Sequence, residues 1–171
     1  MKTAGIILII LCIAALAGMV YYYASSSLTV TYVDCVATDP MSQPALMESL
    51  KTQMEEDTFT GQKLASDTMF SPAESLLYTW TVCISNRTRI PAKAAEIRII
   101  PLSGDIIQMS GTVETMLDPG TETVIEPGQD KLIRITVLTG AGMHHVREAI
   151  VSWYLWGMPF SQRITIGQSV R

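Results

Sequence analysis

An uncharged apolar run near the amino terminus, Ala4 to Ala24, restricts what this chain can fold into more than any other feature. At a rise of about 1.5 Å per residue, a helix of this length crosses the ~30 Å hydrocarbon core of a bilayer. Lys2 precedes the run and the next basic side chain is Lys51, so the positive-inside bias predicts a cytoplasmic amino terminus. We therefore expect a single-pass membrane anchor at residues 1–25, in contact with lipid through residues 4–24, with the rest of the chain outside.

Cleavage of this run is the alternative to a retained anchor. Ala15-Leu16-Ala17 offers a small-x-small cleavage site, and Ala24-Ser25-Ser26 offers a weaker one. Tyr21 to Tyr23 close the run where an aromatic belt meets the membrane interface, which favours retention. We expect a cell-membrane protein, which would be secreted only if the run is removed.

The remaining chain, residues 26–171, has the composition of one extracytoplasmic domain. The protein has 171 residues, 48% of them hydrophobic, and a mean hydropathy of +0.28, and the apolar run explains most of that excess. Without Lys2, 11 basic and 16 acidic side chains remain, so the domain is mildly acidic. Nucleic acid is therefore not expected as a partner.

Alternation of apolar and polar residues predicts β-strands through most of this domain. Turn sequences separate the runs, including Ser103-Gly104-Asp105, Asp118-Pro119-Gly120 and Gly157-Met158-Pro159. We expect an antiparallel Ig-like β-sandwich of seven to eight strands. Nine strand-like runs are the candidates for these seven to eight strands: Ser27–Val36, Leu77–Ser85, Ala95–Ile100, Ile106–Met109, Thr112–Met116, Thr123–Glu126, Lys131–Leu138, Ala149–Trp156 and Gln162–Ile166.

A partly helical insertion, residues 38–75, interrupts this pattern after the first strand. Leu46, Leu50 and Met54 recur at i, i+4 and i+8, and Pro44 suits the first turn of a helix. Two interpretations are open: a lid that buries an edge or end of the sandwich, and a surface for a protein partner. That partner surface would comprise Leu46, Met47, Leu50, Met54, Glu55, Glu56 and Asp57.

Asn86 is the only asparagine of the chain and ends a predicted strand inside an Asn-x-Thr triplet. Asparagine tolerates turn conformations, so we expect an exposed turn position with a structural role. The triplet also makes Asn86 a candidate glycosylation site in a host that glycosylates outside the membrane.

Three stretches carry a resemblance to a known family: the turn Ser85–Pro91, the strand Glu96–Ile100 that runs into Gly104, and the Pro127-Gly128 turn that feeds Leu132–Leu138. Together they resemble the late-embryogenesis-abundant type 2, or WHy-like, β-sandwich over Leu76 to Leu138. Arg87 stands where that family's Asn-Pro-Asn turn has proline, and the insertion also departs from the pattern. The resemblance implies an Ig-like or fibronectin-III-like sandwich near a membrane, without catalytic residues.

Alternation places each of two cysteines on the threonine-bearing face of its predicted strand. Cys35 shares that face with Thr31, and Cys83 shares it with Thr79 and Thr81. An outer compartment permits oxidation, so the two thiols could face each other and form a disulfide if the strands are neighbours. Two separate thiols are the alternative, because small buried cysteines are often unpaired.

Two surface groups have both a functional and a structural interpretation. Alternation puts Trp153 on the face opposite Tyr154 and Trp156, so at least one of these faces belongs to the core rather than to a recognition platform. The basic turn with Arg87, Arg89 and Lys93 could contact an anionic glycan or lipid head group, or it could be a solvated surface.

Catalytic motifs are absent from the sequence: it has no phosphate loop, no Gly-x-Ser-x-Gly elbow and no Cys-x-x-Cys. His144 and His145 with Glu148 could supply metal ligands, but adjacent side chains on an extended chain point to opposite faces. We therefore expect neither a metal nor a cofactor, and no enzyme.

The preferred functional interpretation is a structural, adhesive or accessory interaction module of the cell envelope that binds a protein partner. An enzyme whose site combines residues such as Asp34, Glu48 and His144 is the alternative.

Overall fold

The computed structural model describes residues 2–24, 27–56, 61–64, 71–111 and 122–167, which form an amino-terminal apolar helix followed by a mainly antiparallel β domain. Its helices are α1 (Lys2–Ala24) and α2 (Pro44–Glu55), with short 3₁₀ helices at Pro40–Ser42 and Pro72–Glu74. Its strands are β1 (Thr29–Thr38), β2 (Gln62–Lys63), β3 (Ser75–Ser85), β4 (Lys93–Ile99), β5 (Asp105–Gly111), β6 (Asp130–Gly140), β7 (Arg147–Leu155) and β8 (Met158–Ile166).

The strands form two antiparallel sheets. The large sheet has the order β1-β3-β6-β5-β2 and the small sheet has the order β4-β7-β8, so β1 and β8 are both edge strands. Thr123–Glu126, predicted as a strand, contributes only an isolated bridge between Ile125 and Ala92. The predicted strand Thr112–Met116 lies outside the described residues.

The inner faces of the two sheets enclose one hydrophobic core. Alternate residues of β3 and β6 point inward from the large sheet, and alternate residues of β4 and β7 meet them from the small one. Period two holds because each of these strands has one buried and one more exposed face. The fully buried members include Trp80, Val82, Ile84, Ile97, Ile135, Val137 and Val151.

The insertion covers part of the outer face of the large sheet. The side chains of α2 that turn inward are Met47, Leu50 and Met54, which pack with Leu77, Ile107 and Leu138 in a second apolar cluster. Their spacing is i, i+3, i+7 rather than the predicted i, i+4, i+8, because Met47 takes the buried position and Leu46 stays at the surface. Helix α2 is therefore a lid, but it covers a face of the large sheet and not, as predicted, an edge or end of the sandwich.

The β7–β8 hairpin is tighter than predicted. Leu155 pairs directly with Met158, so the turn consists of Trp156 and Gly157, and Pro159 belongs to β8. Two-residue hairpin turns match the twist of the flanking strands, and an edge strand tolerates proline.

The register of the strands defines two ends of the domain. At one end, which we call the proximal end, lie Thr29 with its partner Ser85 and Lys93 with its partner Tyr154. The helix α1 enters the domain there. At the opposite, distal end lie Asp105, the β6–β7 loop and the start of β7.

A β-bulge at Val33 places Cys35 and Cys83 on opposite faces of the large sheet. Thr31 pairs with Cys83, but after the bulge Cys35 pairs with Trp80. Cys35 therefore packs against the core. Along β1 it lies four residues beyond Thr31, the residue that pairs with Cys83. The disulfide prediction is wrong: both thiols are free, and the extra residue reversed the parity on which the prediction depended.

Candidate functional site

An open cleft separates the edge strands β1 and β8 at the proximal end of the domain. Its volume is about 520 Å³. Because β1 and β8 each pair on one side only, every second backbone N–H and C=O of these strands is directed away from its sheet. The lining comes from the two residues before β1, from the start of β1, and from β7 and β8: Ser27, Leu28, Thr29, Val30, Trp153, Phe160, Ser161 and Gln162.

Two stacked aromatic rings form part of the cleft wall. The rings of Trp153 and Phe160 are nearly parallel, at an interplanar angle of 10° with centroids 6.2 Å apart. The indole Nε1 of Trp153 is buried and has no hydrogen-bond partner among the described residues. A buried donor without a partner costs about 1–3 kcal/mol.

The tip of the β7–β8 hairpin lies beside the end of α1. The ring of Trp156 contacts that of Tyr22, with centroids 5.2 Å apart and an interplanar angle of 57°. Three large apolar side chains at the tip are exposed: Tyr154 at 45%, Trp156 at 57% and Met158 at 49%. The predicted division of the aromatic residues is confirmed, because Trp153 is in the core while Tyr154 and Trp156 face outward.

Asn86 is a buried structural residue of the proximal end. Its amide nitrogen donates to the carbonyl oxygens of Ile90 at 2.7 Å and Ile125 at 2.8 Å. Its amide oxygen accepts from the backbone N–H and the hydroxyl of Thr88. The prediction of an exposed position is wrong, because Asn86 has 0% exposure and its side chain ties two loops together. A glycan on this nitrogen would displace a buried hydrogen bond, so the folded domain excludes glycosylation at Asn86.

The basic turn next to Asn86 is only partly neutralised. Arg87 forms an exposed ion pair with Asp130, with nitrogen and oxygen 3.0 Å apart. Arg89 and Lys93 are exposed and form no ion pair with other described residues. Glu126 lies in the neighbouring turn, so this end carries charges of both signs.

The distal end is joined by a buried ion pair that sequence reasoning missed. Arg147 donates from Nε and Nη2 to the two carboxylate oxygens of Asp105, at 3.0 and 2.8 Å. Its Nη1 donates to the carbonyl oxygens of His144 and Val146, and Asp105 also accepts from the N–H of Leu102. Alternation along β7 places Arg147 on the same face as the buried residues of that strand. An inward-facing charge needs a partner, so this position could have indicated an ion pair from the sequence.

The β6–β7 loop, which contains both histidines, is fixed by the core beneath it. The hydroxyl of Tyr78 donates to the carbonyl oxygen of Met143, and the indole of Trp80 donates to that of His145, both at 3.0 Å. Gly167 passes so close to the His145 carbonyl that a Cβ there would collide with it. Both histidine side chains are exposed, while the backbone of the loop is hydrogen-bonded to core residues.

The described residues contain no group of three or more His, Cys, Asp or Glu side chains that could hold a metal ion. The three residues named for the alternative enzyme lie on separate elements: Asp34 on β1, Glu48 on α2 and His144 in the β6–β7 loop.

The predicted partner surface on the insertion is divided by the packing of α2. Met47, Leu50 and Met54 are buried against the sheet and cannot contact a partner, which corrects that part of the prediction. Leu46, Glu55 and Glu56 are exposed. Asp57 lies outside the described residues.

The thiol of Cys35 lies beside the core. Burial raises the pKa of this thiol, and the negative charge of Asp34 raises it further, while Arg147 acts in the opposite direction. A raised thiol pKa lowers the share of reactive thiolate at neutral pH.

Comparisons with known proteins give structural neighbours of low similarity. No family model matches the chain, and no curated protein matches it. A crystal structure of a FixG-related protein from Vibrio parahaemolyticus aligns with a TM-score of 0.37 at 7% identity, covering 85% of this chain and 98% of that one. A crystal structure of the yeast GGA1 GAE domain gives a TM-score of 0.37 at 6% identity, covering 61% of this chain and 84% of that one. A crystal structure of the cupredoxin domain of amoB from Nitrosocaldus yellowstonii gives a TM-score of 0.32 at 13% identity, covering 84% of this chain and 90% of that one.

Proposed function

We propose that this protein is a single-pass membrane protein whose outer domain, an Ig-like β-sandwich, is an accessory interaction module of the cell envelope. The observation that carries the proposal is the uncovered surface of α1. No residue of its apolar window Gly5–Tyr22 is buried by the rest of the protein, and the isoleucines and leucines between Ile6 and Leu16 are 57% to 63% exposed. Soluble monomers rarely leave so large an apolar surface in water, whereas a bilayer would cover it.

The charge pattern supports a cytoplasmic amino terminus and an outer β domain. Lys2 lies on the amino-terminal side of the span, and the first basic residue beyond it is Lys51. The resemblance to the WHy-like class, which implies a sandwich near a membrane, is consistent with this placement and stays a prediction.

The cleft between β1 and β8 is the surface that best fits a protein partner. Edge strands bind extended segments through main-chain hydrogen bonds, and neighbouring pockets select apolar side chains. The lining begins at Ser27, three residues after α1 ends at Ala24, so the cleft opens close to the bilayer surface. The partner that fits is an extended apolar segment of a neighbouring membrane protein.

The test uses a photo-crosslinking amino acid in the full chain in native membranes. Gln162 lines the cleft, and Thr165 is an exposed residue of the same strand that does not line it. We expect a single adduct from position 162 and none from position 165. Equal adducts from both positions, or none from either, would contradict the cleft as the partner site.

A further inference from the structure

We infer that the tip of the β7–β8 hairpin is a second membrane contact, which inserts Trp156 into the bilayer interface beside Tyr22. The inference rests on the proposed membrane anchoring by α1 and adds a fixed orientation of the β domain on the lipid surface. Its basis is the contact between the two rings, whose centroids are 5.2 Å apart. A side chain that touches Tyr22 lies at the same depth as the aromatic end of the span, where Trp and Tyr side chains are favoured.

Covalent geometry keeps the hairpin near the membrane. Leu28 is buried in the core, only four residues after α1 ends at Ala24. Four extended residues span at most about 14 Å, so the proximal end of the core cannot move far from the interface. Leu28 lines the same cleft as Trp153, and Trp156, in the turn after β7, follows Trp153 by three residues.

The composition of the hairpin fits an interface. No charged residue occurs between Glu148 and Arg163, and the tip exposes Tyr154, Trp156 and Met158. Exposed apolar groups that lie together on a monomer indicate an interaction site. An aromatic tip without charge matches the amphipathic layer at the edge of the hydrocarbon core, where indole and phenol rings contact both lipid and water.

The backbone of the turn argues that Trp156 is not there for stability. Trp156 and Gly157 have φ angles of 53° and 76°, the left-handed pair of a type I′ turn. Asparagine is the favoured residue at the first of these positions, and a bulky residue with positive φ is unfavourable. A bulky side chain in a strained backbone, exposed at a hairpin tip, points to a contact beyond the β domain.

Electrostatic attraction is a minor contribution to this contact. Lys93, the cross-strand neighbour of Tyr154, and Arg89 could face lipid head groups. Asp130 at the same end pairs with Arg87, and Glu126 offsets one of the two remaining basic charges, so the net basic charge facing the lipid is small. We therefore expect insertion into zwitterionic lipid without any requirement for anionic lipid.

The experiment compares the full-length protein with Trp156→Asn in phosphatidylcholine nanodiscs, with and without lipid that carries a nitroxide on carbon 5 of the acyl chain. Asparagine suits the turn, so this variant keeps the fold. The emission of Trp80 and Trp153 is common to both proteins, and the difference between them isolates Trp156. We expect the nitroxide to quench this difference signal and aqueous iodide to leave it nearly unchanged.

A distal reporter is the matched control. Leu102 is exposed at the other end of the domain, so Leu102→Trp in the Trp156→Asn background should be quenched by iodide and not by the nitroxide. Iodide quenching of Trp156 without nitroxide quenching, in protein that co-elutes with nanodiscs, would overturn the hairpin contact and leave the anchoring intact. Failure of the full-length protein to co-elute with nanodiscs would overturn both.

Discussion

Asp105 and Arg147 form a two-point ion pair, with both side chains fully buried, that connects the large sheet to the small sheet at the distal end. Asp105 begins β5 and Arg147 begins β7. The arginine also fixes the β6–β7 loop through the carbonyl oxygens of His144 and Val146. The pair therefore sets the spacing of the two sheets at one end, while the hydrogen bonds of Asn86 connect loops at the other.

Removing one member of this pair should destabilise the domain strongly. Arg147→Met leaves the carboxylate of Asp105 buried without a counter-charge, and breaking a buried pair in this way costs about 3–5 kcal/mol. Arg163→Met is the matched control, because Arg163 pairs with Glu148 at the surface, where such a loss costs about 0–1 kcal/mol. Urea unfolding of the full-length protein in detergent, followed by tryptophan emission, measures both. Equal losses would show that the buried pair has no special role.

Asn86→Ala should also destabilise the domain. The carbonyl oxygens of Ile90 and Ile125 would each lose one of two donors, keeping the Thr88 hydroxyl and the Ala92 N–H respectively. The backbone N–H of Thr88 would lose its acceptor, and a buried group left unpaired costs about 1–3 kcal/mol. Arg89→Ala, an exposed change in the same turn, should have little effect on the free energy of unfolding.

Expression in a host that glycosylates secreted domains tests the burial of Asn86 directly. We expect the folded protein to carry no glycan at this position, measured by intact mass before and after enzymatic deglycosylation. A folded protein with full occupancy of Asn86 would contradict the buried geometry.

The thiols should remain separate under oxidising conditions. Denaturation without reductant, followed by maleimide labelling, should detect Cys12, Cys35 and Cys83 as three free thiols. A mass lower by two hydrogens, with only Cys12 labelled, would show that Cys35 and Cys83 are bridged.

Cys35 should be alkylated at higher pH in the folded protein than in the unfolded chain. Burial, and then the charge of Asp34, raise its pKa, so at a given pH the native thiol holds a smaller share of thiolate. The pH profile of iodoacetamide labelling at Cys35, read by peptide mass spectrometry with and without urea, measures the shift. A native profile at or below the unfolded one would refute the placement of Cys35 beside the core.

Alanine substitutions at two leucines of α2 should distinguish a side chain that packs against the sheet from one that lies at the surface. Leu50 is buried against the large sheet and Leu46 is exposed. Leu50→Ala should cost about 2–5 kcal/mol, while Leu46→Ala should be close to neutral. A partner that contacts the insertion would be lost with Leu46→Ala although the domain stays folded, so co-purification with this variant also tests the remaining part of that surface.

The strands with one buried face were predictable, because alternation in β3, β6 and β7 reflects the burial directly. The errors arose where residues far apart in sequence decide the outcome. Asn86 was correctly placed in a turn, but its burial depends on Ile125, 39 residues away. The bulge at Val33 has no local signal in the sequence and reversed the face of Cys35.

The central claim is that α1 is retained as a membrane span with the β domain outside, and labelling of single added cysteines in intact cells tests it most directly. Thr3→Cys and Thr165→Cys lie on either side of the span and leave Lys2 in place, and the unmodified chain gives the background. With a membrane-impermeant maleimide, the account predicts labelling of position 165 before permeabilisation, labelling of position 3 only afterwards, and an intact mass that retains the first 24 residues. A mature protein that lacks α1, or labelling of position 3 in intact cells, would contradict it.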